Sequence, residues 1–518
     1  MKTRFQALLE ERDFLFTFEL VPARSVRTRR YQEILKFLLE SQKKDLFQAF
    51  SITDNAGGNP ALSPLPLGKT IKNLGLEPII HFSCKDKNRN QIESELLALD
   101  KEGLHNLLVL TGDYPLYGYL GRAKPVYDLD SVLLLRMISD MEKGLDERPP
   151  IPFFKGAVVN PFKLTLPEIW WQYLKLYKKL KAGAYFIITQ VGFYPKKWLE
   201  LKIFFDSGIT YIFSRFFENK ELHFPEEDEK FRNIPLLGSL LYLTPFLVKI
   251  IREAKIPGIL LTETVLARLE RASNFEDEVL DISARFASLL KGLGYKGVHL
   301  CGFPLDYAKI ERFFEKFSKY EPSWEKFFEE FGGKAIFVKN GKTIKKEIPC
   351  LIKEDFDFSF KGKLKPSYFI NELFHQIFFN PENRLFSHFE RLAKMIDGSP
   401  EIKKYFTYVE YFIKKFLFNC QECGDCTLWE FNYNCPQSGC AKYLLNGPCG
   451  GSINGFCEVY PQEKRCHFVK AFEEAPSKKV LQKFMKPGKT FFLPPRNWDL
   501  FKTSSWLNFY LKRDHRAL

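Results

Sequence analysis

Nothing in this 518-residue sequence reads as a bilayer span. The longest apolar stretch, Leu236 to Ile251, is broken by Thr244, Pro245 and Lys249 and falls short of the roughly 20 residues that a spanning helix needs. The opening MKTRFQALLEERDF carries charges every few positions and no apolar core, so no secretory signal and a cytoplasmic setting are expected. No G-x-G-x-x-G follows a strand-like run and no Walker loop is present, so neither a Rossmann dinucleotide site nor a nucleotide-hydrolysing site is indicated. Runs of five or six Lys/Arg are missing too. The net charge of +14 is spread along the chain, which would draw acidic partners but gives no nucleic-acid module, and no nucleic-acid partner is expected. Methionine is scarce at 5 residues while Phe reaches 53, which with heavy Lys and Glu use would suit a thermophile.

What is present is ordinary for a folded protein. Apolar residues make up 45% and charged residues 27%, and the length exceeds one ordinary core, so two or three domains are expected. From residue 16 to about 303, short β-rich runs alternate with longer amphipathic segments. The runs are FTFELV (16–21), QAFSIT (48–53), PIIHFSC (78–84), NLLVLTG (106–112), FKGAVVN (154–160), AYFIITQV (184–191), IPLLGSLL (234–241) and GVHLCGF (297–303). Eight strand–helix units predict a closed (β/α)8 TIM barrel over residues 1–320, with its chemistry at the strand C-termini. Polar residues gather there: Glu19, Thr53, Asp54, His81, Cys84, Thr111, Gly112, Asp113, Asn160 and Gln190. Some of these can equally cap the helix that follows. Residues 321–410 read as a linking, mostly helical region, where His375 and His388 are expected on helix surfaces or in satisfied core positions.

Eight of the eleven cysteines fall between 420 and 466: Cys420, Cys423, Cys426, Cys435, Cys440, Cys449, Cys457 and Cys466. In a reducing compartment such a cluster binds metal rather than forming disulfides. The Cys-x-x-Cys-x-x-Cys opening and the Cys435-Pro436 pair are ferredoxin-like, whereas zinc sites more often use separated Cys-x-x-Cys pairs. Two 4Fe-4S clusters are preferred over two four-cysteine zinc sites, both remain open, and spacing does not say how the eight divide. Residues 411–518 are thus expected to form a cysteine-rich, metal-binding domain of α+β or irregular structure. Cys84, Cys301 and Cys350 stand alone and are expected as buried structural thiols.

The stretches FTFELVPAR, SITDNAGGNPALSP, HFSCKDKNRNQIESELLAL, NLLVLTGDYP and LKAGAYFIITQ together resemble methylenetetrahydrofolate reductase. The tail from CQECGDC through NGPCGGSINGFCEVYP to RNWDLFKTSSWLNFYLKRDH resembles the cysteine-rich partner of this enzyme in acetogens and other Wood-Ljungdahl organisms. The resemblance implies a flavin, FMN or FAD, at the barrel mouth that delivers hydride to the methylene carbon of a tetrahydrofolate derivative. It also implies Glu19 as general acid, Asp113 between flavin and pterin, and Gln190 as a pterin contact. Thr53, His81, Thr111, Gly112, Asp113, Tyr127 and Lys179 fall at flavin-contacting positions. Electrons would arrive through the clusters from ferredoxin or a larger iron-sulfur complex. The alternative is an NAD(P)H-dependent reductase whose tail is a structural zinc module for partner docking, and self-association is compatible with either. A folate-dependent methyltransferase is disfavoured by Glu19, Asp113 and Gln190 occurring together.

Overall fold

The computed structural model describes residues 2–144, 149–208, 210–217, 226–353, 356–360, 362, 365–485 and 491–516. Eight parallel strands close into a barrel: β1 (Leu15–Leu20), β2 (Ala49–Ile52), β3 (Pro78–Ser83), β4 (Asn106–Leu110), β5 (Phe154–Val159), β6 (Phe186–Thr189), β7 (Leu236–Leu241) and β9 (Gly297–Cys301). These are the eight runs read from the sequence, and β9 closes the ring by pairing with β1. A two-residue strand, β8 (Leu261–Thr262), lies outside the barrel.

The pleat explains how one strand serves both core and mouth. Successive side chains alternate between faces, so Leu15, Thr17 and Glu19 share the inner face of β1. Leu15 joins Ala49, Ile79, Leu108, Phe154 and Phe186 in an apolar floor. One layer up, Thr17 is in register with His299 of β9, and beyond it Glu19 is in register with Ser51 of β2. The inner positions thus turn from apolar to polar toward the strand C-termini, where a TIM barrel carries its chemistry. The helix Arg4–Glu11 plugs the opposite end. Its fully buried Phe5 makes edge contacts with Phe154 and Phe186 at 6.1 and 5.5 Å, burial that stabilises by about 2 kcal/mol.

Beyond the barrel, residues 321–410 hold a hairpin as well as helices. Strands β10 (Ala335–Lys339) and β11 (Lys342–Lys346) pair across Asn340 and Gly341, both at positive φ, and β10 also pairs with β8. The helices Pro366–Phe378, Phe386–Asp397 and Pro400–Phe418 follow. The cysteine-rich segment folds with little regular structure and docks on the barrel's helix Leu166–Lys181, which is buried on every side from Glu168 to Leu180. Trp171 donates through Nε1 to the Phe468 carbonyl at 2.7 Å, and Lys175 Nζ donates to the carbonyls of Gly447 and Pro448 at 3.0 and 3.1 Å. Lys163 does the same for Gly450 and Ser452 at 2.6 and 2.7 Å. Carbonyls buried in an irregular loop need such donors, which explains why lysines line a closed interface. Among the described residues no helix is long and apolar enough to cross a membrane.

Candidate active site

A cavity of about 280 Å³ opens at the C-terminal ends of the strands. Glu19, Thr53, His81, Thr111, Gly112, Asp113, Lys179 and Gln190 all line it, so eight of the nine barrel residues to which the resemblance gives a role meet in one place. The ninth, Tyr127, lies just behind: its hydroxyl donates to the Gly112 carbonyl at 3.3 Å. Gly112 has φ +87°, and a Cβ there would come within 2.9 Å of Lys85 and 3.0 Å of Ser83, so only glycine fits this turn.

Glu19 is set up as an acid. Burial raises its carboxyl from an ordinary 4.5 to about 7, the Asp113 carboxylate adds to the rise, and a hydrogen bond from the Cys301 thiol opposes it. Its Oε2 sits 3.9 Å from Nε2 of His299. Burial holds His299 down to about 3, so the ring is neutral and bonds Thr17 Oγ1 through Nδ1 at 2.7 Å. His81 is likewise pushed down to about 4 by burial. Asp113 accepts from the Gly57 backbone at 2.8 Å, tying the loop after β2 to the loop after β4. Two buried polar atoms on the cavity wall, Thr53 Oγ1 and His81 Nε2, have no hydrogen-bond partner among the described residues. Orphaned polar atoms of this kind mark a surface built to meet a polar ligand. Lys179 also faces the cavity with its Nζ on the Val158 carbonyl at 2.5 Å, and burial together with nearby Lys175 draws it down to about 7.

Sequence reasoning missed part of the site. His299 and Ser239 are inward positions of β9 and β7, legible only once the strand pleat is known. Cys301, read as a structural thiol, is buried but touches Glu19. The largest omission is the tail. Lys442, Cys449, Gly450 and Glu458 form one wall of the cavity. Lys442 Nζ donates to the Gly112 carbonyl at 2.7 Å and pairs with the buried Glu458. Asn160 Nδ2 donates to the Gly450 carbonyl at 2.7 Å.

The eight cysteines separate into two sets of four, each around its own internal void. Cys420, Cys423, Cys426 and Cys435 surround one. Cys440, Cys449, Cys457 and Cys466 surround the other. A single helical turn, Pro436–Gly439, links them, a rise of about 6 Å at 1.5 Å per residue. Among the described residues no three of the eight sulfurs lie within 4.8 Å of one another. Four thiolates about 2.3 Å from a single zinc would sit roughly 3.8 Å apart. Arg496 donates through Nη1 to Cys423 Sγ at 3.2 Å, and Lys414 lines the same void. Asp425, Asp514 and His515 also cluster tightly, but both His515 nitrogens face carboxylates. The Glu430 and Asp425 charges outweigh burial and raise His515 to about 9, making it a cationic clamp for the Cys423–Cys426 loop.

Two family models match this chain: one described as methylenetetrahydrofolate reductase over residues 4–213, the other as the C terminus of methylene-tetrahydrofolate reductase over residues 399–498. Between them they span more than half of its length. The chain belongs to the methylenetetrahydrofolate reductase family. A 5,10-methylenetetrahydrofolate reductase from Pectobacterium carotovorum subsp. carotovorum is 29% identical over 137 residues, which is 26% of this chain and 41% of that relative. The chain thus matches about two fifths of that reductase's length. Among solved structures, a Clostridium thermocellum protein that binds two copies of 5-methyl-5,6,7,8-tetrahydrofolic acid aligns at 13% identity with a TM-score of 0.41. It covers 61% of this chain and 98% of its own. A 2,3-dimethylmalate lyase aligns at 11% identity and a TM-score of 0.33, over 62% of this chain and 88% of its own. The reductase model ends at residue 213, so β7 and β9, with Ser239, His299 and Cys301, lie beyond it.

Proposed function

We propose that this chain reduces 5,10-methylenetetrahydrofolate to 5-methyltetrahydrofolate at the barrel mouth, with electrons entering through two 4Fe-4S clusters in the cysteine-rich tail. A flavin bound in the cavity would supply hydride, and clusters in the two thiol sets would supply it with single electrons. Thr53 and His81 are the residues left with polar atoms to offer such a flavin, and Lys179 stands where an anionic group could be met.

The observation that carries the reading is Glu19, a carboxyl whose raised pKa keeps it protonated near neutrality at the rim of the cavity. The methylene carbon of the substrate lies between two nitrogens. It accepts hydride only after the ring opens to an iminium, and opening requires a proton on the departing nitrogen. Glu19 holds that proton, and Asp113 supplies a carboxylate to offset the cation that forms. Gln190, with its amide at the same rim, offers a donor and an acceptor for a pterin edge.

The tail supports the electron route. Cys449 lines both the barrel cavity and the void of the second thiol set, so the two sites share a wall. Sulfurs spread too widely for a single ion suit a larger cluster better than zinc. Replacing Glu19 by Gln tests the acid: methylenetetrahydrofolate reduction should stop while the electron donor still bleaches the flavin.

A further inference from the structure

The tail reaches the barrel mouth through residues that each lie beside a member of one thiol set. Lys442 follows Cys440 by two positions, Gly450 directly follows Cys449, and Glu458 directly follows Cys457. Lys442, Gly450 and Glu458 line the mouth cavity together with Cys449. Cys440, Cys457 and Cys466 face the void of the second set and are not on the cavity wall. No member of the first set lines the cavity.

What these residues do at the mouth is specific. The Gly112 carbonyl accepts from Lys442 Nζ at 2.7 Å and from the Tyr127 hydroxyl at 3.3 Å, and Lys442 Nζ lies 5.6 Å from the centre of the Tyr127 ring. A buried cation from the tail therefore sits between two positions to which the family resemblance gives flavin contacts. An ammonium has three donors. Gly112 and Glu458 take two, and the third has no acceptor among the described residues. On the other side of the wall, Asn160 Nδ2 bridges the carbonyls of Gly258 and Gly450 at 2.9 and 2.7 Å. A Cβ on Gly258 would come within 2.4 Å of the Gly450 oxygen, so only a glycine lets the two backbones seal here.

Little backbone structure holds this wall in shape. Between Cys440 and Cys466 the chain forms neither helix nor strand, only isolated bridges of Phe456 with Ile453 and Arg465. Ordering an irregular segment costs conformational entropy that few backbone bonds offset. In segments of this kind metal–thiolate bonds supply the folding energy. A metal group in the second set would tie down the chain next to Lys442, Gly450 and Glu458 at once.

We propose that the second thiol set is a positioning element of the flavin site: metal held by Cys440, Cys449, Cys457 and Cys466 fixes the wall of Lys442, Gly450 and Glu458, and the barrel binds flavin tightly only when this set is loaded. The first set has no such role. The inference rests on the reading of the mouth as a flavin site, and it holds whether the metal is an iron-sulfur cluster or zinc. Coupling between two sites is reciprocal, so bound flavin also secures the metal of the second set.

The test uses the full chain, purified anaerobically, with FMN and FAD as separate probes titrated by fluorescence quenching and metal quantified on the same samples. Cys457→Ala should lose the metal of the second set and bind flavin at least fivefold more weakly, the low end of the roughly 5- to 150-fold range of such couplings. Cys423→Ala should lose the metal of the first set and bind flavin as wild type does. Lys442→Met combined with Glu458→Gln should keep both metals and still weaken flavin binding, which a merely structural tail would not do. Because Cys457→Ala can disturb folding, a reciprocal arm uses Cys423→Ala, which retains the second set: bound flavin should protect its metal against a chelator. Equal flavin binding by wild type and Cys457→Ala, equal loss in both thiol variants, or chelation indifferent to flavin would overturn the inference. Wild-type protein that binds neither FMN nor FAD would instead defeat the flavin reading of the mouth.

Discussion

Glu19→Gln is the perturbation that bears most directly on the barrel chemistry. In the folded protein the carboxyl is lifted from 4.5 to about 7, chiefly by burial and secondarily by Asp113. Each tenfold change in a proton equilibrium corresponds to ~1.4 kcal/mol, so ionised Glu19 costs the fold about 3 kcal/mol. The sign follows from linkage. Above pH 4.5 the unfolded chain releases this proton while the folded chain keeps it until about pH 7, so stability falls across that window and then levels off. Glutamine keeps the shape and never ionises. The variant should therefore match wild type near pH 4.5 and exceed it by about 3 kcal/mol at pH 8, a rise of several degrees in the barrel's melting temperature. Its methylenetetrahydrofolate reduction should fall by roughly 100- to 10,000-fold, the usual range for a lost general acid, while flavin reduction by the donor is retained. Wild-type turnover should decline about tenfold per pH unit above 7. Melting curves at pH 5 and 8 and single-turnover kinetics read the two effects separately. Full turnover by the variant, or a wild-type rate flat between pH 6 and 9, would refute the acid role.

Three further outcomes are expected. Asp113→Asn removes the neighbouring charge that helps lift Glu19, so the decline in turnover should move to lower pH, as a pH–rate profile will show. Cys423→Ala should lower bound iron to about half by removing one ligand set, and Cys449→Ala should do the same while also slowing flavin reduction by the donor; unchanged metal in either variant would break the proposed division. Lys442→Met strands the buried Glu458 carboxylate, and breaking such a pair costs about 3–5 kcal/mol, so thermal unfolding should drop sharply and recover in part when Glu458→Gln is added.

How far the sequence reached depended on the kind of contact. All eight barrel strands were legible because each is a short β-rich run bounded by a helix, and their alternation fixes the fold class. The mouth residues on those strands were legible for the same reason, since Glu19, His81 and Gln190 sit at strand ends whatever the loops do. The Asn340-Gly341 hairpin was readable in principle, because that pair favours the tight turn of two short strands, but the Lys-rich composition around it masked the pattern. The helix Leu166–Lys181, buried from Glu168 to Leu180, looked amphipathic, although WWQYLKLY is apolar nearly all round and its Lys175 is consumed by the tail carbonyls of Gly447 and Pro448. What was not legible was tertiary: which four cysteines share a void, and that Lys442, Cys449 and Glu458 reach the barrel mouth. The contacts of the tail with the barrel join residues about 300 positions apart, and no local spacing encodes them.

The central claim is that the two thiol sets hold electron carriers serving a flavin at the barrel mouth. Anaerobic quantification of iron, acid-labile sulfide, zinc and flavin on one preparation, with its absorption spectrum, tests it. About eight iron and eight sulfide per chain with one flavin, and broad brown absorption that bleaches with dithionite, are predicted. Two zinc per chain under a plain flavin spectrum, or no flavin at all, would contradict it.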